Sequence, residues 1–241
     1  MRRLDVEISE KGFSTPAGAR RIILRNVAFQ MTAREFLVVL GPSGCGKTTL
    51  LNIVAGIDQD FSGSVRLAGK PPEAARIGYV FQSPRLLPWR TVLENVTLVL
   101  PRGADPTAVP GLLENVGLAE FADVYTSRLS VGMARRVSLA RAFAVEPELL
   151  LMDEPFVSID EPTARRLRQQ LLTLWSSRPT TILFVTHNRR EAAELADRIL
   201  ILAGSPARLV ADIAIPLARD RRSDLAEIDG ICREIEARSR P

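Results

Sequence analysis

The chain has 241 residues, of which 46% are hydrophobic and 25% are charged, and its formal net charge is +4. That length buries one substantial core with an attached subdomain, and the composition excludes long disorder. The modest positive charge permits an acidic partner, such as a nucleotide or a membrane surface, without requiring one. Apolar residues never run for eighteen positions, so we expect neither a secretion signal nor a membrane span.

The first predicted elements are strands. VEISEKGF (6–13) and IILRNVAFQM (22–31) have the pattern of an antiparallel sheet. FLVVL (36–40) is a short apolar run, typical of a strand buried on both faces, and it leads through a glycine-rich turn into a helical pattern. SVRLAGK (64–70) and IGYVFQ (77–82) are predicted as further strands.

Residues 83–145 have a different character, with helical segments interrupted by proline and glycine. Buried strands are predicted again at LLLMDEP (149–155) and TTILFVTH (180–187), with a helix over 161–177 between them. A short helix, a strand and a tail helix follow, at 189–198, 199–204 and about 223–238. This order predicts an α/β fold in which a helical insert interrupts a mainly parallel core.

The segment GPSGCGKT, from Gly41 to Thr48, matches the pattern G-x-x-x-x-G-K-[ST] between a buried strand and a helix. Successive backbone N–H groups of such a loop form a nest for phosphates, and the helix N-terminus adds its positive dipole end. Lys47 is expected to reach the β- and γ-phosphates, and the Thr48 hydroxyl to ligate Mg²⁺. The predicted ATP contacts in this loop are Gly41, Pro42, Ser43, Gly44, Cys45, Gly46, Lys47, Thr48 and Thr49.

Polar side chains follow three of the predicted strands. Asp153 and Glu154 end an apolar strand, where Asp153 is predicted to hold Mg²⁺ and Glu154 to act as the general base for water. His187, the only histidine, follows the next buried strand and is predicted to contact the γ-phosphate. Gln82 is a candidate to contact either Mg²⁺ or the attacking water molecule. The alternatives are a solvated strand end and a structural histidine.

In order along the chain, six motifs resemble those of the ATP-binding subunits of ABC transporters: GPSGCGKTT (41–49), FQ (81–82), LSVGM (129–133), LLLMDEP (149–155), SID (158–160) and TH (186–187). The resemblance covers nearly the whole chain. It implies a P-loop NTPase (RecA-like) fold, ATP hydrolysis coupled to transport, and a head-to-tail homodimer with two ATP molecules between the subunits. It also implies a membrane-embedded permease as partner.

The resemblance assigns further roles residue by residue. Gln82 corresponds to the Q-loop residue that couples the site to the permease, and Asp160 to the D-loop residue that crosses the dimer interface. His187 corresponds to the switch histidine. Ser130 and Gly132 of the signature motif are expected to meet the γ-phosphate of the partner's ATP. Phe13 is the best candidate for the aromatic residue that stacks on adenine.

The signature motif departs from the family pattern LSGGQ at two positions. Val131 replaces a glycine and Met133 replaces a glutamine. Valine keeps its N–H, but a β-branched residue would be strained if the site required a positive φ. Methionine cannot replace the amide of glutamine. Because Lys47, Glu154 and His187 are all present, we interpret LSVGM as a variant but working signature rather than a relic.

Two segments are similar to ATPases of nitrate, taurine, sulfonate and bicarbonate importers, SPRLLPWRTVLENV (83–96) and ADRILILAGSPARLVADIAIPLARDR (196–221). This implies import of a small anion or organic solute, a solute-binding protein in the same system, and a position for residues 85–89 near the groove for the permease. The implied division is a nucleotide-binding core (1–82 and 146–205), a helical subdomain (83–145) and a C-terminal tail (206–241).

Other functions stay open at this stage: an exporter, a degenerate regulatory ATPase with slow turnover, and a non-transport ABC ATPase acting on DNA or ribosomes. The last class usually carries coiled-coil inserts, zinc-binding cysteines or two cassettes, and this chain has one phosphate loop and only Cys45 and Cys232, so no nucleic acid is expected. The two cysteines lie far apart in the sequence and do not suggest a disulfide framework, which favours a reducing compartment. The expected location is cytoplasmic, peripheral on the inner face of the membrane.

Overall fold

A computed structural model describes residues 2–14, 18–217, 222 and 224–239. The strands in chain order are β1 (Arg2–Ser14), β2 (Arg20–Thr32), β3 (Phe36–Leu40), β4 (Ser62–Leu67), β5 (Ile77–Val80), β6 (Leu149–Asp153), β7 (Thr181–Thr186), β8 (Arg198–Gly204) and β9 (Ala207–Ala214). The α-helices are α1 (Lys47–Val54), α2 (Val92–Thr97), α3 (Ala108–Asn115), α4 (Val131–Ala144), α5 (Glu161–Ser177), α6 (Arg189–Leu195) and α7 (Leu225–Arg238).

The chain divides into two units, Met1–Ala75 with Thr181–Pro241, and Arg76–Thr180. In the first unit the strand order is β4-β1-β2-β9-β8-β3-β7. β1 pairs antiparallel with β2 and β4, whereas β3 pairs parallel with β7 and β8. Every residue of β3 and β7 is buried, as expected for continuous apolar runs in parallel strands. Helix α6 packs on β3 and β7, and α7 packs on α6.

In the second unit, β5 and β6 pair in parallel, and α4 packs against β5 and α2. Helix α5 has the amphipathic pattern seen in the sequence: its buried residues recur every three or four positions, at Ala164, Leu167, Leu171 and Leu174. Its N-terminus is capped by the Asp160 side chain, and Trp175 Nε1 donates a hydrogen bond to Thr180 O at 2.6 Å beyond its C-terminus.

The predicted α/β class is confirmed, and each strand predicted from the sequence is present with small changes at its ends. One strand was not predicted from the sequence. Residues 207–214 form β9, which pairs antiparallel with β8. Only Ala207 and Ile213 are buried and Val210 is exposed, so the apolar periodicity was too weak to predict a strand. No helix in the described part of the chain is long and apolar enough to cross a membrane.

The close packing of α4 on β5 gives a stability prediction. A Cβ atom at Gly78 in β5 would lie 2.4 Å from the carbonyl oxygen of Ala142 in α4, so Gly78→Ala should force the helix away from the strand. We expect a loss of about 1–3 kcal/mol in the free energy of unfolding, measured by urea denaturation.

The matched control is Gly111→Ala. Gly111 lies in α3, and a Cβ there would meet nothing within 4 Å, so removal of a helical glycine should leave stability unchanged or raise it by up to about 1 kcal/mol. Equal unfolding midpoints for the two variants would contradict the packing described here.

Candidate functional site

The phosphate loop of the first unit leaves the carboxyl end of β3. The Gly41 N–H donates to the carbonyl oxygen of Thr186 at 3.2 Å, which ties the start of the loop to β7. A Cβ atom at Gly41 would lie 2.5 Å from the Leu202 carbonyl oxygen, and one at Gly46 would lie 2.8 Å from Ile23 Cγ2. Glycine is therefore required at both positions, because the loop lies directly against β8 and β2.

The outer side of the loop is open. Gly44 has a φ of +78°, which favours glycine, and a Cβ atom there would meet nothing within 4 Å. Helix α1 begins after Gly46, and no side chain caps its first N–H groups. Uncapped N–H groups beside an open glycine-rich turn form the nest that binds phosphate oxygens. The arrangement is that of an anion site.

Lys47 lies at the base of this nest. The residue is only 4% exposed, and its Nζ donates hydrogen bonds to the carbonyl oxygens of Gly41 and Pro42, both at 2.9 Å. The ammonium group is thus placed by the loop itself and carries its positive charge into the site. Thr48 follows in the first turn of α1 and is exposed.

His187 leaves the same edge of the sheet as the phosphate loop. β3 and β7 pair in register, with Leu40 opposite Thr186, so Gly41 and His187 are the first residues beyond two neighbouring strands. His187 is exposed, whereas the chain on both sides of it is fixed. Thr186 Oγ1 donates to Glu191 Oε2 at 2.6 Å and accepts from the Asn188 N–H at 3.0 Å.

Glu191 was not predicted from the sequence. It lies one turn into α6, is 7% exposed, and accepts from Thr186 and from the Asn188 amide. The Asn188 side chain in turn caps α6, accepting from the N–H groups of Arg190 and Glu191. A capping residue and a buried glutamate therefore hold the corner that carries His187.

Phe13 lies at the end of β1, opposite Arg21 of β2. Two residues further along β2, Ile23 reaches the position where a Cβ of Gly46 would lie, so the strands that carry Phe13 border the phosphate loop. The ring is 47% exposed. Lys11 Nζ lies 4.5 Å from the ring centroid. This cation–π contact helps to fix the orientation of the ring.

Lys11 is a second residue that the sequence did not reveal. It is 1% exposed, and its Nζ donates to Asp58 Oδ1 at 2.8 Å and to the Asp60 carbonyl oxygen at 2.6 Å. These contacts lie 47 and 49 positions away along the chain. The lysine is thereby fixed near the Phe13 ring.

The acidic pair and Gln82 leave one edge of the second unit. Val80 of β5 lies opposite Met152 of β6, so Gln82 and Asp153 both occur at the carboxyl ends of these parallel strands. Asp153 is 4% exposed. The pKa of Tyr79 is raised, mainly because Tyr79 is itself buried and secondly because the negative charge of Asp153 acts on it. The two strands thus end at the same edge of the sheet, with Gln82 and the acidic pair just beyond their carboxyl ends.

Glu154 has a left-handed backbone, with a φ of +43°. The turn is closed by the Val157 N–H, which donates to the Glu154 carbonyl oxygen at 3.2 Å. Such a conformation costs a non-glycine residue about 1–3 kcal/mol and is concentrated at functional sites. The strained residue is the one predicted to act as the general base.

The signature segment forms the start of α4. Ser130 is the N-cap, and its hydroxyl accepts from the Met133 N–H at 3.3 Å. Val131 is the first helical residue, has no positive φ, and is 60% exposed, so its β-branched side chain is unstrained and projects into open space. The backbone of LSVGM is therefore a regular capped helix start.

The first turn of α5 lies beside this helix start. A Cβ at Gly132 would come within 3.0 Å of Thr163 Cγ2, in the first turn of α5. Asp160 caps that turn: its carboxylate accepts from the Thr163 N–H at 3.0 Å, which holds the pKa of Asp160 below its usual range. The structure thus brings Gly132 and the Asp160 turn together within the second unit.

A glycine-rich loop between a buried parallel strand and a helix, with a buried lysine at its base, defines a P-loop NTPase. A family model described as "ABC transporter" matches residues 24–157. The chain belongs to the ABC transporter family, as its ATP-binding and ATP-hydrolysing subunit. The resemblance found from the motifs is confirmed.

Curated relatives cover most of the chain. An aliphatic sulfonates import ATP-binding protein, SsuB 2, of Burkholderia lata is 44% identical over 221 residues, which is 90% of this chain and 79% of the relative. Another SsuB 2, of Pseudomonas syringae pv. tomato, is 40% identical over 92% of both chains. An uncharacterised ABC transporter ATP-binding protein of Methanocaldococcus jannaschii, MJ0412, is 44% identical over 85% of this chain and 79% of its own.

Solved structures agree with this assignment. A dimeric post-hydrolysis state of the ATP-binding cassette MJ0796, bound to ADP and Pi, superposes with a TM-score of 0.78 at 28% identity. The match covers 89% of this chain and all of that chain. The protein is therefore an ABC-type ATPase.

The hydrogen bonds around His187 give a prediction. Glu191→Ala leaves the Thr186 hydroxyl without its acceptor in a buried position, so we expect a loss of about 1–3 kcal/mol in stability. Because the corner beside His187 loosens, kcat for ATP hydrolysis should fall more than the affinity for ATP. Steady-state ATPase kinetics and nucleotide titration measure the two effects.

Glu194→Ala on the same helix is the control. It removes a partly exposed ion pair with Arg190, at 3.3 Å, and leaves the Thr186 hydroxyl with its acceptor, so stability should change by at most about 1 kcal/mol and kcat should be retained. A Glu191→Ala enzyme with normal kcat would show that His187 does not depend on this network.

Proposed function

We propose that the chain powers the import of an aliphatic sulfonate, or a small anion of similar chemistry such as taurine or nitrate, through a separate membrane permease. The observation that carries this proposal is the 40–44% identity, over most of the chain, to ATPases named for aliphatic sulfonate import. Segments 83–96 and 196–221, which resemble importer ATPases, support it. We further propose a solute-binding protein in the same system and a peripheral location on the cytoplasmic face.

We propose the division of labour implied by the sequence, with a nucleotide-binding core (1–82 and 146–205), a helical subdomain (83–145) and a C-terminal tail (206–241). Trp89 and Leu98 are 67% and 62% exposed, which suits a surface where the permease docks. The active form is proposed to be a homodimer, in which Ser130, Gly132 and Asp160 of one subunit complete the ATP site of the other. The solved MJ0796 cassette is described as dimeric, which supports this assembly.

The nucleotide would be held as follows. Phe13 stacks on adenine, and the N–H groups of residues 41–49 hold the phosphates, with Lys47 placing its charge on the β- and γ-phosphate oxygens. Glu154 takes the proton of the attacking water, and His187 keeps the γ-phosphate in line. Lys47 opposes the negative charge that develops on the phosphate oxygens during transfer.

We propose Mg²⁺ as the accompanying metal ion. Thr48 provides a hydroxyl oxygen, Gln82 an amide oxygen and Asp153 a carboxylate, and Mg²⁺ prefers oxygen donors of these kinds. The residues present therefore fit the ion. When bound, it neutralises charge on the β- and γ-phosphate oxygens.

A regulatory subunit with slow turnover is the second candidate, and the one observation behind it is the altered signature. The unstrained, capped start of α4 at Ser130 and Val131 favours a working site instead. The loss of a glutamine amide at Met133 is the only change in polar chemistry there.

The role of Glu154 gives a direct prediction. Glu154→Gln keeps the shape of the side chain but cannot accept a proton, so ATP should bind without being hydrolysed. We expect a stable ATP-bound dimer in size-exclusion chromatography and a kcat reduced by about 10²–10⁴-fold.

Glu146→Gln provides the matched carboxylate control. Glu146 is exposed and lies just before the amino end of β6, whereas Glu154 follows its carboxyl end. This variant should turn over ATP normally and remain monomeric with ATP. Adding Lys47→Ala to Glu154→Gln should abolish the ATP-dependent dimer. Normal turnover by Glu154→Gln would overturn the assignment of the general base.

The proposed substrate is tested by uptake. Cells that depend on this chain should take up a labelled aliphatic sulfonate, and Glu154→Gln should abolish that uptake while the Glu146→Gln control retains it. If sulfonate uptake is independent of the chain, labelled taurine and nitrate are the next substrates to compare. Uptake of none of the three, in cells where the permease is present, would contradict the importer proposal.

A further inference from the structure

Two arginines of the signature helix bind the backbone that follows β5. Arg135 and Arg141 both lie in α4. Arg135 Nη1 donates to the carbonyl oxygen of Gln82, while Arg141 donates to the carbonyl oxygens of Pro84 and Arg85, at 2.7 and 2.8 Å. Three hydrogen bonds therefore join α4 to the segment 82–85.

Arg135 also reaches the turn that precedes Asp160. Its Nη2 donates to the Val157 carbonyl oxygen at 3.3 Å. Val157 lies between Glu154 and Asp160, and its own N–H closes the turn at Glu154. One guanidinium group thus connects the signature helix both to the segment after β5 and to the turn between the acidic pair and α5.

The burial of Arg135 makes these contacts selective for arginine. The residue is 8% exposed, and in the described part of the chain no carboxylate forms an ion pair with it. Its charge is compensated by backbone carbonyls instead, and burial lowers the pKa of both Arg135 and Arg141. Hydrogen bonds from a charged donor are stronger than neutral ones, and a planar fork with several donors holds two carbonyls at once.

The segment bound by these arginines is itself stiff. Arg85 lies with its guanidinium 4.3 Å from the ring centroid of Phe81, and Phe81 stacks on Tyr79 with the centroids 4.0 Å apart. Arg85 has a φ of +47°, so the chain turns sharply at the point where Arg141 binds it. A displacement of the exposed surface at Trp89 would therefore reach α4 through a short, rigid path.

We propose that Arg135 and Arg141 form a carbonyl clamp that makes the segment 82–85, the turn 154–157 and the signature helix move as one body. The clamp residues are positioning residues, since neither is placed at ATP. The inference rests on the proposed function for its consequence: the clamp passes a movement at the permease-facing surface to Ser130 and Asp160. Its existence can be tested without a permease.

The first test is hydrogen–deuterium exchange of the whole chain, which compares Arg135→Gln, Arg135→Lys and Arg141→Gln with wild type. The control is Arg136→Gln, because Arg136 is the neighbouring, partly exposed arginine of α4 and forms no hydrogen bond to the described residues. The clamp predicts at least a fivefold faster exchange at 83–90 in all three clamp variants, and at 155–160 only in those of Arg135. Arg136→Gln should exchange as wild type does.

A merely structural role would give a different pattern, with faster exchange spread over the entire unit and a lowered melting temperature. Local exchange that is unchanged in Arg135→Gln and in Arg141→Gln would overturn the clamp. Arg135→Lys keeps the positive charge but cannot hold two carbonyl oxygens with a planar fork, so both segments should exchange faster in it, as they do in Arg135→Gln.

The second test is ATPase activity of the complex with its permease. The variants should bind ATP with a Kd within twofold of wild type but lose most of the stimulation by permease, at least fivefold, whereas Arg136→Gln keeps it. Full stimulation in Arg135→Gln, together with faster local exchange, would overturn the transmission role. If the wild-type protein shows no stimulation by any candidate permease, the transport proposal fails, and the exchange experiment still decides the clamp.

Discussion

The in-register pairing of β3 with β7 is the constraint on which the site of the first unit depends. Both strands are buried along their whole length, and a parallel pair aligns their carboxyl ends. The hydrogen bond from the Gly41 N–H to the Thr186 carbonyl oxygen extends this alignment by one residue. A shift in register would separate the phosphate loop from His187, so the apolar packing of the sheet also fixes the chemistry at its edge.

In each unit, charged residues with no part in the proposed chemistry fix the candidate site residues of that unit. Lys11 lies over the Phe13 ring, Glu191 fixes the chain around His187, and Arg135 binds the carbonyl oxygens of Gln82 and Val157. All three are buried. Lys11 is paired with residues distant in sequence, Arg135 binds backbone carbonyls, and Glu191 accepts from two side chains of the corner that it holds. Buried charges of this kind are stabilised only when such partners are in place, so their positions are specified by the complete fold.

This distinction explains what the sequence could and could not predict. The strand FLVVL, the loop GPSGCGKT and the acidic end of LLLMDEP are local patterns with a known geometry, and the structure has each where the sequence places it. Lys11 and Arg135 depend on contacts up to 53 positions away, and Glu191 depends on the side chains of Thr186 and Asn188. These are contacts with carbonyls or single side chains, which leave no periodic signal in the sequence. Strand β9 was missed for a related reason, because its alternation is carried by only two buried residues, Ala207 and Ile213.

Above all, we propose that the open nest above Lys47 binds the phosphate chain of ATP. Isothermal titration of the wild-type protein with ATP, ADP and AMP, in the presence of Mg²⁺, tests it most directly. We predict that ATP and ADP bind and that AMP does not bind measurably, because AMP lacks the β- and γ-phosphates that the loop is proposed to hold. Equal affinity for AMP and ATP, or ATP binding unaffected by Lys47→Ala, would contradict it.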